Sequence, residues 1–260
     1  MYAFDFERPS TLDEAVAALG AEGAQALAGG QTLIPTLKQR LAMPETLVSL
    51  TGLAELKGIS ASGGVLTVGA ASTHAEVARQ TDHPGLAGLA GGIGDPHVRN
   101  RGTIGGSVAN NDPSACYPAA VLGSGAMVVT NAREIAADDY FTGLFETALE
   151  EGEIITALRF PIPEKSAYVK FEQPASRFAL VGVFVSKSEG GVRVAVTGAS
   201  EEGVFRWSEA EAALASDFSP AALDGLSASA ENLIGDIHGS PAYRAHLIGV
   251  LTKRAVAAAA

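Results

Sequence analysis

The most constraining stretch of this chain runs from Arg101 to Pro113 and reads Arg-Gly-Thr-Ile-Gly-Gly-Ser-Val-Ala-Asn-Asn-Asp-Pro. It sets closely spaced glycines among small hydrogen-bonding side chains: Thr103, Ser107, Asn110, Asn111 and Asp112. Burying so many polar groups costs free energy unless each finds a partner, and a segment that merely reversed the chain would need few of them. A polar ligand held against backbone of minimal bulk accounts for both features. An earlier segment has the same character. Ala28-Gly29-Gly30-Gln31-Thr32-Leu33-Ile34-Pro35 follows a short run, residues 25–28, that reads as a buried strand, and it leads into helical spacing from Ile34 to Leu41. Paired glycines let backbone N–H groups approach an anion, and a helix N-terminus adds partial positive charge. That geometry suits a pyrophosphate, although an ordinary Gly-Gly turn fits the same spacing. Neither a Gly-x-Gly-x-x-Gly fingerprint nor a Gly-Lys-Ser/Thr P-loop is present.

Composition narrows the function classes. The 30 glycines show no triplet period, so the excess belongs to turns and ligand loops rather than to a fibre. Lys and Arg total 18 against 29 Asp and Glu, and a net charge of −11 with unclustered basic residues weighs against nucleic acid as a partner. One cysteine cannot form an internal disulfide, hold an iron–sulfur cluster or build a Cys-rich zinc site, and it suits a reducing cytoplasm. His74, His83, His97, His238 and His246 lack metal-ligand spacing and read as solvated or capping residues, so no metal site is expected in this chain. Ser107, His97 and Asp112 do not make a hydrolase triad, because the Gly-x-Ser-x-Gly elbow is missing. Residues 1–6 show no basic export signal, and no run of 18 apolar residues occurs, as expected of a soluble, unexported chain.

Thr11-Leu12-Asp13-Glu14 predicts a capped helix start, and with a strand over Leu47–Leu50 the first 55 residues form a β-α-β-like unit. A strand follows over 64–70, with Ser72 or Thr73 capping a helix near Ala75 and Asp95-Pro96 as a turn. Val128, Val129 and Ile135 mark strands, and Glu153–Phe160 a longer one. Pro161–Ser166 reads as a linker. Beyond it come a strand over Tyr168–Phe171, a hairpin of Ala179–Lys187 with Val192–Gly198, and helices over Ser208–Leu214, Pro220–Leu233 and from Pro241, capped by Ser240. Strands followed by helices predict an α+β second part. Asp138, Asp139 and Glu150–Glu153 read as solvated acids, and Leu247, Val250, Leu251 and Val256 as a core-facing stripe.

Three segments carry a resemblance: residues 28–35, residues 99–113 and Asp-Ile-His-Gly-Ser-Pro-Ala-Tyr-Arg at 236–244. Together they resemble the FAD-binding medium subunits of the molybdenum hydroxylases, the family of xanthine dehydrogenase and aerobic carbon monoxide dehydrogenase. The resemblance covers nearly the whole chain. It implies a two-part FAD-binding domain of the vanillyl-alcohol-oxidase (PCMH) type over residues 1–163, with subdomains about 1–55 and 56–163, followed by a C-terminal α+β domain over 164–260 with a small antiparallel sheet and helices. By motif position, Ala28, Gly29, Gly30, Gln31, Thr32 and Leu33 would line the pyrophosphate. Thr103, Ile104, Gly105, Gly106, Ser107, Ala109, Asn110 and Asp112 would hold phosphates and ribityl, Ile154 and Ile155 would lie beside the ring system, and Lys170 would stand near the flavin edge, where a cation tunes the ring. Arg99 and Arg101 could approach phosphate, or Arg101 pair with a carboxylate. No side chain here is expected to be catalytic.

The resemblance also implies partners: a large subunit with the molybdenum cofactor, a small subunit with two [2Fe–2S] clusters, assembly as a dimer of heterotrimers, and an external electron acceptor that could draw the cytoplasmic complex to the inner face of the membrane. One departure stands out. Cys116 occupies a position where the family pattern has an aspartate that contacts the ribityl region, and it reads as a buried, inert thiol. Two rival readings remain, a self-contained FAD-dependent oxidoreductase and a flavin-less assembly subunit.

Overall fold

The computed structural model describes residues 1–259; Ala260, the last residue of the predicted C-terminal domain, lies outside them. The first unit holds β1 (Asp5–Glu7), α1 (Leu12–Leu19), β2 (Ala24–Leu27), α2 (Leu33–Lys38) and β3 (Thr46–Ser49). Its strands pair in parallel in the order β1-β3-β2, as a β-α-β path requires. Thr11 caps α1 by accepting from Glu14 N–H, and the Glu14 carboxylate accepts from Ser10 N–H at 2.7 Å. Its small core of Ala15, Leu19, Val48 and Leu50 is completed by Ala71 and Ile154 from the next unit.

The second unit runs through β4 (Ile59–Ser62), β5 (Val65–Gly69), α3 (His74–Val77), α4 (Pro84–Gly91), α5 (Pro96–Arg99), α6 (Ile104–Asn110), α7 (Tyr117–Gly123), β6 (Met127–Thr130), β7 (Glu134–Ala136), α8 (Ala137–Tyr140), β8 (Phe141–Gly143), β9 (Glu146–Thr147) and β10 (Ile155–Pro161). Its main sheet, β4-β5-β10-β6-β7, is antiparallel throughout, so β10 returns to the centre between β5 and β6. Thr73 and Glu76 make a full capping box on α3. Asp95-Pro96 is more than a turn: Asp95 caps α5 and Pro96 is its first residue.

After Pro161 the chain crosses in Ile162–Glu164 and enters a third unit, with β11 starting at Lys165 inside the predicted linker. It comprises β11 (Lys165–Glu172), β12 (Ala179–Ser188), β13 (Gly191–Ser200), β14 (Gly203–Arg206), α9 (Ser208–Ser216) and α10 (Pro241–Ala258), the four strands forming an antiparallel meander. β12 is buried on both faces. Val181, Val183 and Val185 join the core under α9 and α10, while Phe184 and Ala195 pack into the core of the second unit against α7. Ser186 Oγ donates to Gly123 O at 2.6 Å and Thr197 Oγ1 to Pro113 O at 2.9 Å, so polar side chains on that face also tie the units together. The helix predicted over Pro220–Leu233 is absent. Only a 3₁₀ turn, Pro220–Leu223, forms; Gly225 at φ +82° leads the chain out, and Ile234 N–H bonds Ala199 O at the end of β13.

Candidate functional site

The two glycine segments meet back to back. A Cβ on Gly29 would collide with the Arg101 carbonyl and lie 2.7 Å from Gly102 Cα, so only glycine lets β2 approach residues 101–102. Gly30, at φ +71°, then turns the chain into α2. Thr32 at the start of α2 makes no capping bond; Ile34 N–H bonds Gly30 O at 3.1 Å and Pro35 has no N–H, so the donors left open at this start are those of Thr32 and Leu33. Gln31 folds back, its Nε2 donating to Gly29 O at 3.2 Å.

The second segment works differently from its sequence reading. Its backbone donors are committed to the protein: Ile104 N–H bonds Ser72 O, Gly105 N–H bonds Ala70 O at 2.9 Å, and Gly106 N–H bonds Thr103 Oγ1 at 3.2 Å as the cap of α6. Its glycines supply closeness instead. A Cβ on Gly105 would stand 2.5 Å from Ala70 Cβ, and one on Gly106 would lie 3.3 Å from Ala28 Cβ across the crevice.

From this crevice opens a cleft of about 600 Å³ between the three units. Every residue assigned from sequence lines it except Ile104, whose side chain is fully buried in the core of the second unit, because the helical phase that presents Gly106, Ala109 and Asn110 to the cleft puts Ile104 and Val108 on the opposite, core side. Ile154 and Ile155 come from the start of β10, Ile154 packing with the first unit's core, whereas Lys170 on β11 stands among Gly92, Cys116 and Arg177 on a different wall. Lys170 Nζ donates to Gly92 O at 2.8 Å and Arg177 O at 2.5 Å, lies 3.8 Å from Cys116 Sγ, and pairs with Glu172 at 3.7 Å. Cys116 is buried; burial pushes its thiol pKa up even though Lys170 pulls the other way, which leaves a neutral thiol on the cleft wall.

Other lining residues had no motif to announce them. His74 is buried, not solvated; burial, then the nearby Arg99 charge, lowers its pKa to about 4, so it is neutral. Away from the cleft, His83 is also buried and caps α4, its Nδ1 accepting from Leu86 N–H. Glu153, read as a solvated acid, has a side chain only 4% exposed. Burial raises its pKa, but hydrogen bonds from Arg133, Thr130 and Glu150 N–H outweigh that and hold it at about 2. Arg99 donates to Ile93 O and Gly94 O, fixing the turn that edges the cleft, and Arg101 is exposed. Ser176, Arg177 and Phe178 reach the cleft because the β11–β12 connection folds over it, with Arg177 in the left-handed region at φ +60°. That placement depends on strand pairing far from the glycine segments, and only Gly102, inside the Arg-Gly-Thr-Ile-Gly-Gly run, carried a local signal.

Open N–H groups at Thr32 and Leu33, a crevice of minimal bulk and a buried ammonium on the opposite unit fit a long, thin, anionic group. They do not form a nucleophile–base pair, because Lys170 is engaged by carbonyls and the neutral His74 has no hydrogen-bond partner at Nδ1 among the described residues.

Comparison with known proteins agrees with this geometry. Residues 2–163 match the family described as the FAD-binding domain in molybdopterin dehydrogenase. The chain is 34% identical over 275 residues to the carbon monoxide dehydrogenase medium chain of Afipia carboxidovorans, covering 98% of this chain and 96% of that one. It is 33% identical over 273 residues to the nicotine 6-hydroxylase medium subunit of Paenarthrobacter nicotinovorans, with the same coverage. Among solved structures, a reconstituted carbon monoxide dehydrogenase from Oligotropha carboxidovorans superposes with a TM-score of 0.90 at 33% identity, over 99% of this chain and 98% of that one. Quinoline 2-oxidoreductase from Pseudomonas putida 86 gives 0.88 at 31%, over 99% and 97%.

Proposed function

The chain belongs to the family of FAD-binding domains of molybdopterin dehydrogenases, and from that premise we propose that it is the flavoprotein subunit through which a molybdenum hydroxylase passes electrons from partner-borne [2Fe–2S] clusters to an external acceptor. The observation that carries the proposal is the single cleft shared by both glycine segments and Lys170. The flavin, when bound, supplies the redox chemistry, accepting electrons singly or in pairs. The chain's own residues bind and orient it. Ala28–Leu33 would offer the N–H groups of the α2 start to the pyrophosphate, and Gly105 and Gly106 the close approach. Thr103, Ser107, Ala109, Asn110 and Asp112 would follow the ribityl chain. Ile154 and Ile155 would give apolar contact, and Lys170 would place positive charge at the ring. Cys116 supplies no anionic acceptor where an aspartate is expected, so the backbone and Asp112 carry that end of the site.

Substrate selection then lies in a large molybdenum-cofactor subunit and electron relay in a small iron–sulfur subunit. This chain's lone, buried Cys116 is consistent with its borrowing its clusters. Assembly is a dimer of heterotrimers in the cytoplasm. The FAD-binding domain ends near residue 163, where the chain crosses between sheets. No helix among the described residues is long and apolar enough to cross a membrane, so contact with a membrane-bound acceptor would be peripheral. Purification with the native partners tests the proposal: FAD, iron and molybdenum are expected together, with substrate bleaching the flavin only when the large subunit is present. Turnover of an organic substrate by this chain alone would favour a self-contained oxidoreductase, and a complex without flavin would favour an assembly subunit.

A further inference from the structure

Beside the cleft lies a second recess of about 250 Å³, and Asp112, Ser176 and Phe178 form walls of both. Arg244, in the first turn of α10, also lines it, though its side chain is only 3% exposed. Its Nη1 donates to Leu180 O and to Gly198 O, each at 2.7 Å, and its Nη2 to Asp236 Oδ2 at 2.8 Å. Asp236 is itself fixed, because its Oδ1 accepts from His238 N–H and Gly239 N–H. A guanidinium carries five N–H donors in a rigid fork, so these bonds leave Nε–H and one Nη2–H, and Nε has no partner among the described residues. A buried donor left unpaired is costly, and Arg244 is part of the wall of this recess.

Charge decides which acceptor fits. Asp236 already balances Arg244, and Asp112 adds a second carboxylate to the same recess. An anionic oxygen would be repelled, whereas a neutral carbonyl oxygen would not. Ser114, Gln173 and Ser176 add neutral hydrogen-bonding side chains to the walls.

We propose that this recess binds a neutral carbonyl group of the amide or quinone class, carried on a small flat molecule, with the Arg244 guanidinium as donor. On the FAD reading, such a molecule would be held one layer of side chains, Ser176 and Phe178, from the flavin cleft, a separation that single electrons cross but a hydride does not.

The full chain loaded with FAD, titrated calorimetrically with nicotinamide, with a short-tailed oxidised quinone and with inorganic phosphate, tests this. Saturable binding of one carbonyl compound is expected, and the arm that binds names the source. Ser114→Leu, which fills the recess from a residue that does not line the cleft, should weaken that binding at least tenfold, as should Arg244→Lys. Because Arg244 is buried, its variant is compared only if it melts as the parent does; Ser114→Leu decides the matter without it. Binding of neither carbonyl probe, binding untouched by Ser114→Leu, or displacement by phosphate overturns the proposal. Flavin absorbance of the same sample reads the FAD assignment separately: a chain that binds the probe but retains no flavin would sink that assignment and leave the recess standing.

Discussion

Gly29 is where the halves of the cleft touch, and a methyl group there has nowhere to go because its neighbours are backbone atoms of Arg101 and Gly102. Gly29→Ala is expected to spread the crevice at a cost of about 1–3 kcal/mol, the usual range for overpacking, which, carried over to binding, lowers FAD affinity roughly 5- to 150-fold. Fluorescence titration with FAD measures it, and Gly88→Ala, whose Cβ meets nothing within 4 Å, is the control. The buried histidines make a second prediction. Burial, more than any other cause, lowers the His74 and His83 pKa values to about 4, while an unfolded chain titrates near 6.5. Between those values the unfolded chain takes up protons that the folded one refuses, so stability is complete above about pH 6.5 and falls as pH drops toward 4. Each residue contributes on the order of 2–4 kcal/mol over that window. His83→Asn keeps an acceptor for Leu86 N–H and removes one titration, so urea unfolding at pH 7 and pH 5 should show a smaller difference than in the parent.

Among the elements, α2 and α6 divide the labour that their sequences suggested they shared. α2 leaves the Thr32 and Leu33 N–H groups without a protein partner beside the cleft, whereas α6 consumes its own first-turn donors and offers small surface. The glycine segments, their helices and the strand leading into Gly29 were legible because each signal is local: periodicity, a cap, a glycine pair. The helix expected at Pro220–Leu233 was not, because Ala and Ser at helical spacing say nothing of the backbone partners that β13 offers at Ala199. Ile104 was assigned to the site by its place in a motif, yet helical phase sends it to the core. The flap residues Ser176–Phe178 and the recess around Arg244 arise from pairing between distant strands, which no local pattern encodes. Lys170 shows the same long-range logic, because it ties Gly92 and Arg177 to β11 across the cleft. Lys170→Met should therefore loosen both loops and, with the flavin placed as proposed, remove positive charge from its ring edge. Spectroelectrochemistry is expected to find the flavin harder to reduce, and Lys170→Arg should recover part of the shift.

At the scale of the whole molecule, the third unit's sheet is covered on one face by α9 and α10 and on the other by α7, so the cleft sits among units that share continuous packing. Such a site can be rigid without a partner, while the function proposed for it needs one. The chain alone should bind flavin yet oxidise none of the complex's organic substrates, and adding the large and small subunits should restore flavin reduction by substrate in a stopped-flow trace. Equilibrium binding of FAD to the flavin-free full chain decides whether this cleft is a flavin site. One FAD per chain, with affinity lost in Gly29→Ala and kept in Gly88→Ala, is the predicted result. No saturable binding, or equal binding by parent and Gly29→Ala, would contradict it.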